Sequence, residues 1–342
     1  DRVEKRGFTF VSAGHPPEDQ MAAAWEMLDK ATAEEAVPVA IRHMFGGVLS
    51  RQTLPKVREI VETRKPDLIV RESCEFSGLA VSEEAGIPCA MVSVVASGGM
   101  QHFHDLFQDT ANDMRDFAGV SRGGDGSREV VLCDFPASLD KDCRILGRVP
   151  VRVAPSGSAV EPVAGDEGWL PGEGRKLLYV TLGTISGRSP RVQEAFRQAL
   201  GAVGDLDADV LLTIGRVMDP DLLGAIPDNV SVERFVPQKA IFSVATAVAH
   251  HGGSGTCSGT LAAGLPQVIL PLFADQPFNA SSAAEAGVAI SVTDRTVDNL
   301  HTSFKGALSD AALARRAREV AAEMAAMTPM PALVRQLEEM AC

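Results

Sequence analysis

Apolar and polar positions follow two patterns along this chain, continuous apolar runs and helical spacing. Unbroken apolar runs at Asp67–Val70, Cys89–Val95 and Lys176–Leu182 predict strands covered on both faces, because buried parallel strands have this pattern. Helical spacing of apolar residues predicts helices at Arg51–Lys65 and Phe76–Ala85, before and between the first two runs. Strands that alternate with helices are typical of doubly wound α/β domains with a parallel sheet.

The same patterns continue to the end of the chain. Further strands are predicted at Gly7–Ser12, Glu129–Cys133, Asp209–Ile214, Val230–Val232, Ala245–Ala249, Gln267–Leu272 and Val288–Val292, and further helices at Arg191–Leu200, Thr260–Ala263, Ala311–Met327 and Ala332–Met340. Between the two groups, Ala154–Gly174 is acidic and rich in Pro, Gly and Ser, which indicates a linker. We therefore predict two domains, 1–153 and 175–327, followed by a terminal helical segment, 328–342.

The composition agrees with this organisation and narrows the classes of partner. The 342 residues suffice for two hydrophobic cores, and 45% of them are apolar. The net charge of −13 argues against nucleic acid or an anionic membrane as a partner. No apolar run approaches the roughly 20 residues of a membrane span, and no signal peptide opens the chain. Six cysteines without a Cys-x-x-Cys pair predict reduced thiols in a cytoplasmic protein.

Candidate chemistry concentrates in Ala245–Ala280, where a strand, a glycine-rich loop, a short helix, a second strand and an acidic loop follow one another. The glycines of the loop let the backbone approach a ligand closely. Free N–H groups at the start of the helix form an anion site that suits phosphate, and a histidine at the strand end can donate to the same phosphate. The residues of this predicted phosphate site are His251, Gly253, Ser254, Gly255 and Thr256.

Two polar residues, Asp275 and Gln276, follow the second strand of this stretch. They belong on the same rim as the phosphate site, because the carboxyl ends of parallel strands meet at one edge of a sheet. An acidic side chain and an amide suit the hydroxyl groups of a sugar. A phosphate site beside a site for sugar hydroxyls predicts a nucleotide sugar as the ligand.

Three segments together carry a resemblance to a known family. They are VPQ at Val236–Gln238, HHGGSGT at His250–Thr256 and LAAGLPQVILPLFADQPFNA at Leu261–Ala280. This set resembles the donor-binding signature of the GT-B-fold, inverting glycosyltransferases of family 1, most closely the actinobacterial enzymes that decorate antibiotics and other natural products, including the enediyne glycosyltransferases. The resemblance runs from Gly7 to the end and is strongest over Lys176–Val292. It implies two Rossmann-like, doubly wound domains that face each other across a cleft.

The resemblance assigns donor binding to the C-terminal domain. It implies that Thr184 directs its hydroxyl at the donor phosphates and that main-chain groups near Val236 pair with a pyrimidine. Arg234 and Gln238 would form walls of the base site. Relatives that modify antibiotics often take dTDP-deoxysugars and use neither a metal ion nor a bound cofactor. We therefore expect a pyrimidine nucleotide-diphosphate sugar, with dTDP or UDP, as co-substrate.

The resemblance places the catalytic histidine base before Gly7, in a first strand–helix unit of the N-terminal domain that we expect to be missing from this sequence. Glu72 stands at the position of the acidic residue that orients this histidine in the family, and a salt bridge with Arg71 or with another surface partner is the alternative interpretation. His251 would stabilise the charge of the leaving diphosphate. His15 also follows a glycine, but its context predicts a loop near the acceptor instead.

The N-terminal domain would bind the acceptor. Met100, Phe103 and Phe107 are predicted to line a pocket for an apolar acceptor, and packing in the core explains the same residues equally well. The neighbouring His102 and His104 do not indicate a metal site, because residues two apart do not share a helix face.

These observations predict an inverting, metal-independent glycosyltransferase that moves a sugar or deoxysugar to a hydroxyl group of a hydrophobic natural product. Two alternatives stay open: a nucleotide-sugar epimerase of the same fold, and a non-catalytic partner protein that binds the nucleotide. An NAD-dependent dehydrogenase is disfavoured, because HHGGSGT lacks the spaced Gly-x-Gly-x-x-Gly of that class. The sequence leaves the sugar, the acceptor and a homodimer undetermined.

Overall fold

The computed structural model describes residues 3–32, 35–94, 96–121, 129–140, 144–155, 168–183, 187 and 189–341. Its helices are α1 (Glu18–Lys30), α2 (Ala36–Val39), α3 (Ser50–Arg64), α4 (Phe76–Ala85), α5 (Ser97–His102), α6 (His104–Ala118), α7 (Pro190–Val203), α8 (Gln238–Phe242), α9 (Ser254–Ala262), α10 (Gln276–Glu285), α11 (Val297–Ser309), α12 (Ala311–Ala325) and α13 (Met330–Ala341). A π-helical segment, Ala40–Leu49, joins α2 to α3.

The strands of the described residues are β1 (Ile69–Glu72), β2 (Cys89–Ser93), β3 (Glu129–Cys133), β4 (Val151–Arg152), β5 (Leu177–Thr181), β6 (Asp209–Thr213), β7 (Val230–Glu233), β8 (Ala247–His250), β9 (Gln267–Ile269) and β10 (Ala289–Ser291). They form two sheets in which all neighbouring strands are parallel. The predicted α/β class with two parallel sheets is confirmed.

The first sheet has the strand order β1-β2-β3-β4. Successive side chains of a strand point to opposite faces, so Met91 and Val131 share one face of this sheet. They pack there in one apolar cluster with Phe76 of α4 and Phe107 of α6, whose ring centroids lie 6.2 Å apart. Helices α4 and α6 therefore cover this face and leave the carboxyl ends of the strands at the rim.

The second sheet has the strand order β10-β9-β8-β5-β6-β7. From β5 the chain continues outward through β6 and β7, and then returns to the other side of β5 with β8. The strand order thus reverses between β5 and β8, and ligands of open α/β sheets bind outside the carboxyl ends of the strands at such a point. Residues after Thr181 and His250, which are paired across these two strands, belong to that position.

The last helix returns to the first sheet. Leu333 of α13 packs in a buried cluster with Ala90, Leu132 and Val153, on the face opposite to α4 and α6. The backbone bridges the same junction, because the N–H of Ala154 donates to the carbonyl oxygen of Thr328 at 2.9 Å. Of the predicted linker, 156–167 lie outside the described residues, and the domain boundaries stay a prediction.

Two predicted strands are wrong in whole or in part. Gly7–Ser12 is irregular, with Phe8 and Phe10 68% and 48% exposed, and no strand in the described part of the chain pairs with it. The run Asp67–Val70 was predicted to be buried, but its strand begins at Ile69 and Val70 is 55% exposed. Since β1 pairs only with β2 among the described strands, it lies at the edge of the described sheet, and apolar composition alone does not distinguish an edge from a centre.

Several helices also differ from the prediction. The helix predicted at Thr260–Ala263 begins six residues earlier, at Ser254, and continues through Gly259. Gly259 serves packing there, because a Cβ atom at this position would lie 3.0 Å from the ring of Phe242. Helix α11 was not predicted, although Thr296 caps it through the N–H of Asn299. None of the helices that the structure describes is both long and apolar enough to cross a membrane.

Candidate functional site

Two adjacent histidines end β8 at the point where the strand order reverses, and they have different roles. His250 is 0% exposed, its Nε2 lies 2.7 Å from Oε1 of Gln267, and its Nδ1 accepts the N–H of Gly252 at 3.1 Å. This pattern places the proton on Nε2. Burial lowers the pKa of His250 to about 3, so its imidazole is a neutral structural group.

The ring of His251 packs between Gly183 and Gly253, in a position that we call the His251 seat. A Cβ atom added at Gly253 would lie 2.5 Å from its Nε2, and one added at Gly183 would lie 3.1 Å from the same atom. Burial lowers the pKa of His251 to about 4, so the ring is neutral near pH 7. Its Nδ1 is buried without a hydrogen-bond partner among the described residues. The ring therefore has hydrogen-bonding capacity left for a ligand.

The first turn of α9 supplies the backbone donors of the site. Gly253 is the N-cap residue, with no side chain bonded to the helix end. Thr256 differs from the prediction, because its N–H donates to the carbonyl oxygen of Gly253 at 3.1 Å. Among the described residues, the N–H groups of Ser254 and Gly255 have no acceptor. Two free N–H groups at a helix N-terminus suffice for an anion.

The acidic loop faces this helix start. Oδ2 of Asp275 accepts the hydroxyl of Ser254 at 2.9 Å and Nδ2 of Asn279 at 2.7 Å. Burial raises the pKa of Asp275, and these hydrogen bonds oppose that shift. The preceding Ala274 has φ of +57°, a conformation that costs a non-glycine residue energy and that concentrates at ligand sites. The loop is thus held in one shape by its polar partners.

Gln276 is used differently from the prediction. Its side chain is only 3% exposed, and Oε1 accepts the backbone N–H groups of Leu272 and Phe273 at 2.9 and 3.1 Å. The carbonyl oxygen of this amide therefore holds the end of β9 and its loop. Its predicted contact with sugar hydroxyls is restricted to the amide nitrogen.

The predicted base site lies at the start of α8. Val236 is buried, and Nε2 of Gln238 donates to the hydroxyl of Thr256 at 3.1 Å, which joins this segment to α9. Arg234 donates to the carbonyl oxygens of Arg216 and Met218, both at 3.3 Å, and so fixes the neighbouring turn. Thr184, the remaining predicted donor residue, lies outside the described residues.

On the opposite rim, Glu72 ends β1. Its carboxylate accepts the hydroxyl of Ser73 at 2.5 Å and the N–H of Cys74 at 2.9 Å. The alternative salt bridge with Arg71 is wrong, because the Arg71 side chain pairs with Glu129 at 2.6 Å. Burial raises the pKa of Cys74, and the charges of Glu72 and of Asp275 raise it further. Both predicted carboxylates thus act electrostatically on the same thiol.

The predicted acceptor residues separate from one another. Met100 and Phe107 are 0% and 3% exposed and pack in the core, and Phe107 also borders a cavity of about 250 Å³ between α4 and α6 that Arg71 lines as well. This corrects the prediction, since neither residue offers surface to a ligand in the cleft. Phe103 is half-buried, and its ring lies 5.4 Å from that of Phe278 on α10. Phe103 is thus the predicted acceptor residue that reaches the opposite layer.

Three residues of the site were missed from the sequence. His250 is the structural partner of His251, Asn279 holds Asp275, and Ser258 of α9 donates to Asp134, the residue after β3. The adjacent histidines gave no indication of which one is buried. Asn279 offered a signal, since it is a polar residue among alanines and serines four positions after an aspartate.

The sequence matches characterised proteins in its C-terminal part and beyond. The family model "Erythromycin biosynthesis protein CIII-like, C-terminal domain" matches residues 197–340. Tylactone mycaminosyltransferase of Streptomyces fradiae is 36% identical over 201 residues, 56% of this chain and 42% of that protein. The 3-alpha-mycarosylerythronolide B desosaminyl transferase of Saccharopolyspora erythraea is 31% identical over 291 residues, 79% of this chain and 67% of that protein. The chain thus spans from under half to about two thirds of these relatives.

Solved structures share the fold over almost the whole chain. The glycosyltransferase SnogD from Streptomyces nogalater has a TM-score of 0.76 at 24% identity, covering 99% of this chain and 88% of that one. The Streptomyces sp. SF2575 glycosyltransferase SsfS6, complexed with thymidine diphosphate, has a TM-score of 0.73 at 21% identity, covering 98% and 88%. These matches confirm the predicted GT-B fold.

Proposed function

This chain belongs to the family of actinobacterial glycosyltransferases of antibiotic biosynthesis, and we propose that it moves a sugar or deoxysugar from dTDP or UDP to a hydroxyl group of an apolar natural product, with inversion at the sugar carbon. The observation that carries the proposal is the pair of backbone N–H groups without an acceptor in the first turn of α9, beside His251 and at the reversal of the strand order. A thymidine diphosphate complex of SsfS6, a protein of the same fold, supports the choice of dTDP.

The donor diphosphate would bind at the first turn of α9. The N–H groups of Ser254 and Gly255 and the imidazole of His251 would donate to its oxygens, with the neutral ring acting as a hydrogen-bond donor to an anion. With a net charge of −13, the chain has no general positive field for this anion, so local dipoles must hold it. Val236 and Gln238 would contact the pyrimidine, and Asp275 the sugar hydroxyls.

In the transfer step, a base takes the proton of the acceptor hydroxyl. The acceptor oxygen then bonds to the anomeric carbon, the bond from this carbon to the diphosphate oxygen breaks, and its electron pair leaves with the diphosphate. The donors at α9 and His251 face the oxygens on which this charge develops, an effect of the oxyanion-hole kind. No residue in this account needs a metal ion as partner.

The base would be the histidine that the family resemblance places before Gly7, and Glu72 would orient it. Glu72 supports this role by its position, since it ends β1 at the carboxyl edge of the first sheet, where ligands of open α/β sheets bind. Its two internal hydrogen bonds leave acceptor positions on the carboxylate for an imidazole N–H. The acceptor would enter beside Phe103. A cytoplasmic location and a homodimer stay predictions.

Calorimetric titration tests the donor site directly. We expect dTDP and UDP to bind this protein, and ADP, with its larger purine, to bind more weakly. Absence of binding by both pyrimidine nucleotides would contradict the proposal. If dTDP-glucose is converted to another nucleotide sugar without any acceptor, the protein is an epimerase and not a transferase.

A further inference from the structure

Asn279 is a buried amide whose hydrogen-bonding groups are all engaged. It lies in the first turn of α10 and is 0% exposed. Its Oδ1 accepts the backbone N–H of Ala96 at 3.2 Å. Its Nδ2 donates to the carbonyl oxygen of Gly252 at 2.8 Å and to Oδ2 of Asp275 at 2.7 Å. These partners fix the orientation of the amide, because a backbone N–H can only donate and a carbonyl oxygen can only accept.

The three partners come from three loops in two layers of the molecule. Gly252 belongs to the glycine loop after β8, and Asp275 belongs to the acidic loop before α10. Ala96 is the N-cap residue of α5, in the N-terminal layer beside the predicted acceptor residues. The site of the donor and the layer of the acceptor are thus joined through one side chain. Any shift of Ala96 against α10 acts on Asp275 through Asn279.

We propose that Asn279 is a positioning residue, which holds the Asp275 carboxylate for the donor sugar and links its orientation to the N-terminal layer through Ala96. The inference deepens the proposed function and rests on it, since Asp275 has a sugar to bind only in a nucleotide-sugar enzyme. The hydroxyl of Ser254 and Nδ2 of Asn279 both bind Oδ2, so the rotation of the carboxylate is fixed. Its other oxygen, Oδ1, is then presented to the sugar hydroxyls.

Two thiols and one imidazole around Asp275 keep their protonation state near neutral pH, and burial raises the pKa of Asp275 itself. Cys74, from the loop after β1, and Cys257, from α9, both interact with this carboxylate. Burial raises the pKa of both thiols, so they stay neutral. Burial lowers the pKa of His251, on the same rim, to about 4, so this ring is neutral as well.

The decisive variant is Asn279→Asp, which replaces the donor Nδ2 by an oxygen of the same size. In the variant, the carboxyl groups of residues 279 and 275 lie at the 2.7 Å separation of the original hydrogen bond. At low pH they share one proton in a hydrogen bond, and at high pH both are ionised and repel each other. At pH 8 we expect the variant to bind dTDP-glucose about tenfold more weakly than the wild type, with the deficit shrinking at pH 5.5. Binding of dTDP, which lacks the sugar, should change by less than about threefold.

Asn299→Asp is the matched control. Nδ2 of Asn299 donates to Oδ2 of Asp294 at 2.9 Å, so the same substitution creates a similar pair of carboxylates. Both residues are exposed and lie outside the site. We expect this variant to bind dTDP and dTDP-glucose as the wild type does at both pH values. A pH-dependent loss of dTDP-glucose that is equal in the two variants would overturn the inference.

Ala96→Pro tests the link to the N-terminal layer, also if Asn279→Asp fails to fold. It removes the N–H that Asn279 accepts, and φ of −53° at Ala96 lies in the range of proline. We expect roughly a threefold to tenfold loss of affinity for dTDP-glucose, with less effect on dTDP. Equal affinities of Ala96→Pro and the wild type for both ligands would overturn the link. If the wild type binds neither ligand, the proposed function itself fails and the inference fails with it.

Discussion

The two rims of the cleft differ in how their side chains are held. On the rim of the second sheet, which is the proposed donor rim, His250, Asp275 and Asn279 each have at least two hydrogen-bond partners, which leave His251 and the start of α9 in a defined position. On the rim of the first sheet, which is the proposed acceptor rim, the apolar Met100 lies in the core, and Phe103 is the predicted residue that reaches across the cleft. A charged ligand requires preorganised dipoles, whereas an apolar ligand requires only surface. The proposed donor site therefore depends on particular polar side chains, whereas the proposed acceptor site depends on the shape of an apolar surface.

The largest effect is expected from His251→Ala, which removes the imidazole that we propose as a hydrogen-bond donor to the diphosphate. Loss of one oxyanion-type donor lowers kcat by about 10²–10³-fold. The exposed His43, in the N-terminal layer, is the control, and His43→Ala should leave kcat unchanged. The measurement is nucleotide diphosphate release with an acceptor that the wild type uses. Near-normal turnover of His251→Ala would remove the distinction between the rims.

A pair of glycine variants sharpens the same point. Gly253→Ala puts a Cβ atom 2.5 Å from Nε2 of His251, so the ring must leave its seat, and we expect kcat/KM to fall by about 10²-fold. Gly168→Ala also meets no atom within 4 Å and lies before β5, outside the site, so kcat/KM should stay close to that of the wild type. Steady-state kinetics on both variants is the measurement. Equal losses in the two variants would contradict the role of the His251 seat.

The pH dependence of stability reports on the buried histidines, since burial lowers the pKa of both His250 and His251. Burial lowers the pKa of His250 to about 3 in the folded chain, whereas it is about 6.5 in the unfolded chain. Below pH 6.5 the unfolded chain therefore binds a proton at His250, whereas the folded chain does not. The free energy of unfolding is highest above pH 6.5 and falls as the pH decreases below this value. Between pH 7 and pH 5 this loss is about 2 kcal/mol. Burial raises the pKa of Asp134 and Asp275, which opposes the loss at lower pH.

Urea unfolding of the wild type and of His250→Gln at pH 7 and pH 5 measures this effect. The variant lacks the titrating group, so its free energy of unfolding should fall less between the two pH values. The same fall in both proteins would show that His250 is not the group responsible.

The smallest effects compare the two sheets. Val248 of the central β8 is 0% exposed, and Val248→Ala should lower the free energy of unfolding by about 2 kcal/mol. Val70 of the edge strand β1 is 55% exposed, and Val70→Ala should change the free energy of unfolding by less than about 0.5 kcal/mol. Chemical denaturation tests both. A large loss at Val70 would show that this edge is covered in the protein in solution.

The sequence predicted the strands of the second sheet to within a few residues, because buried parallel strands have an apolar pattern and their turns contain glycine. It also placed His251 and Asp275 on one rim. It could not distinguish a central strand from an edge strand, so Val70 was misjudged. It could not distinguish a glycine that borders a helix from one that admits a neighbouring ring, as Gly259 does, so the start of α9 was misplaced at Thr260. Contacts between distant loops, such as that of Asn279 with Ala96, leave no local pattern.

The return of α13 to the first sheet has a consequence for biosynthesis. The side chains of Ala90 and Leu132 lack their cover on one face of the sheet until Leu333 is present. Leu333 follows both residues by more than two hundred positions along the chain. Domains otherwise begin to fold in the order of their synthesis. Here nearly all of the second layer must be synthesised before α13 can cover the apolar face of the first sheet. During translation the earlier layer carries an uncovered apolar face, a site where chaperones would act.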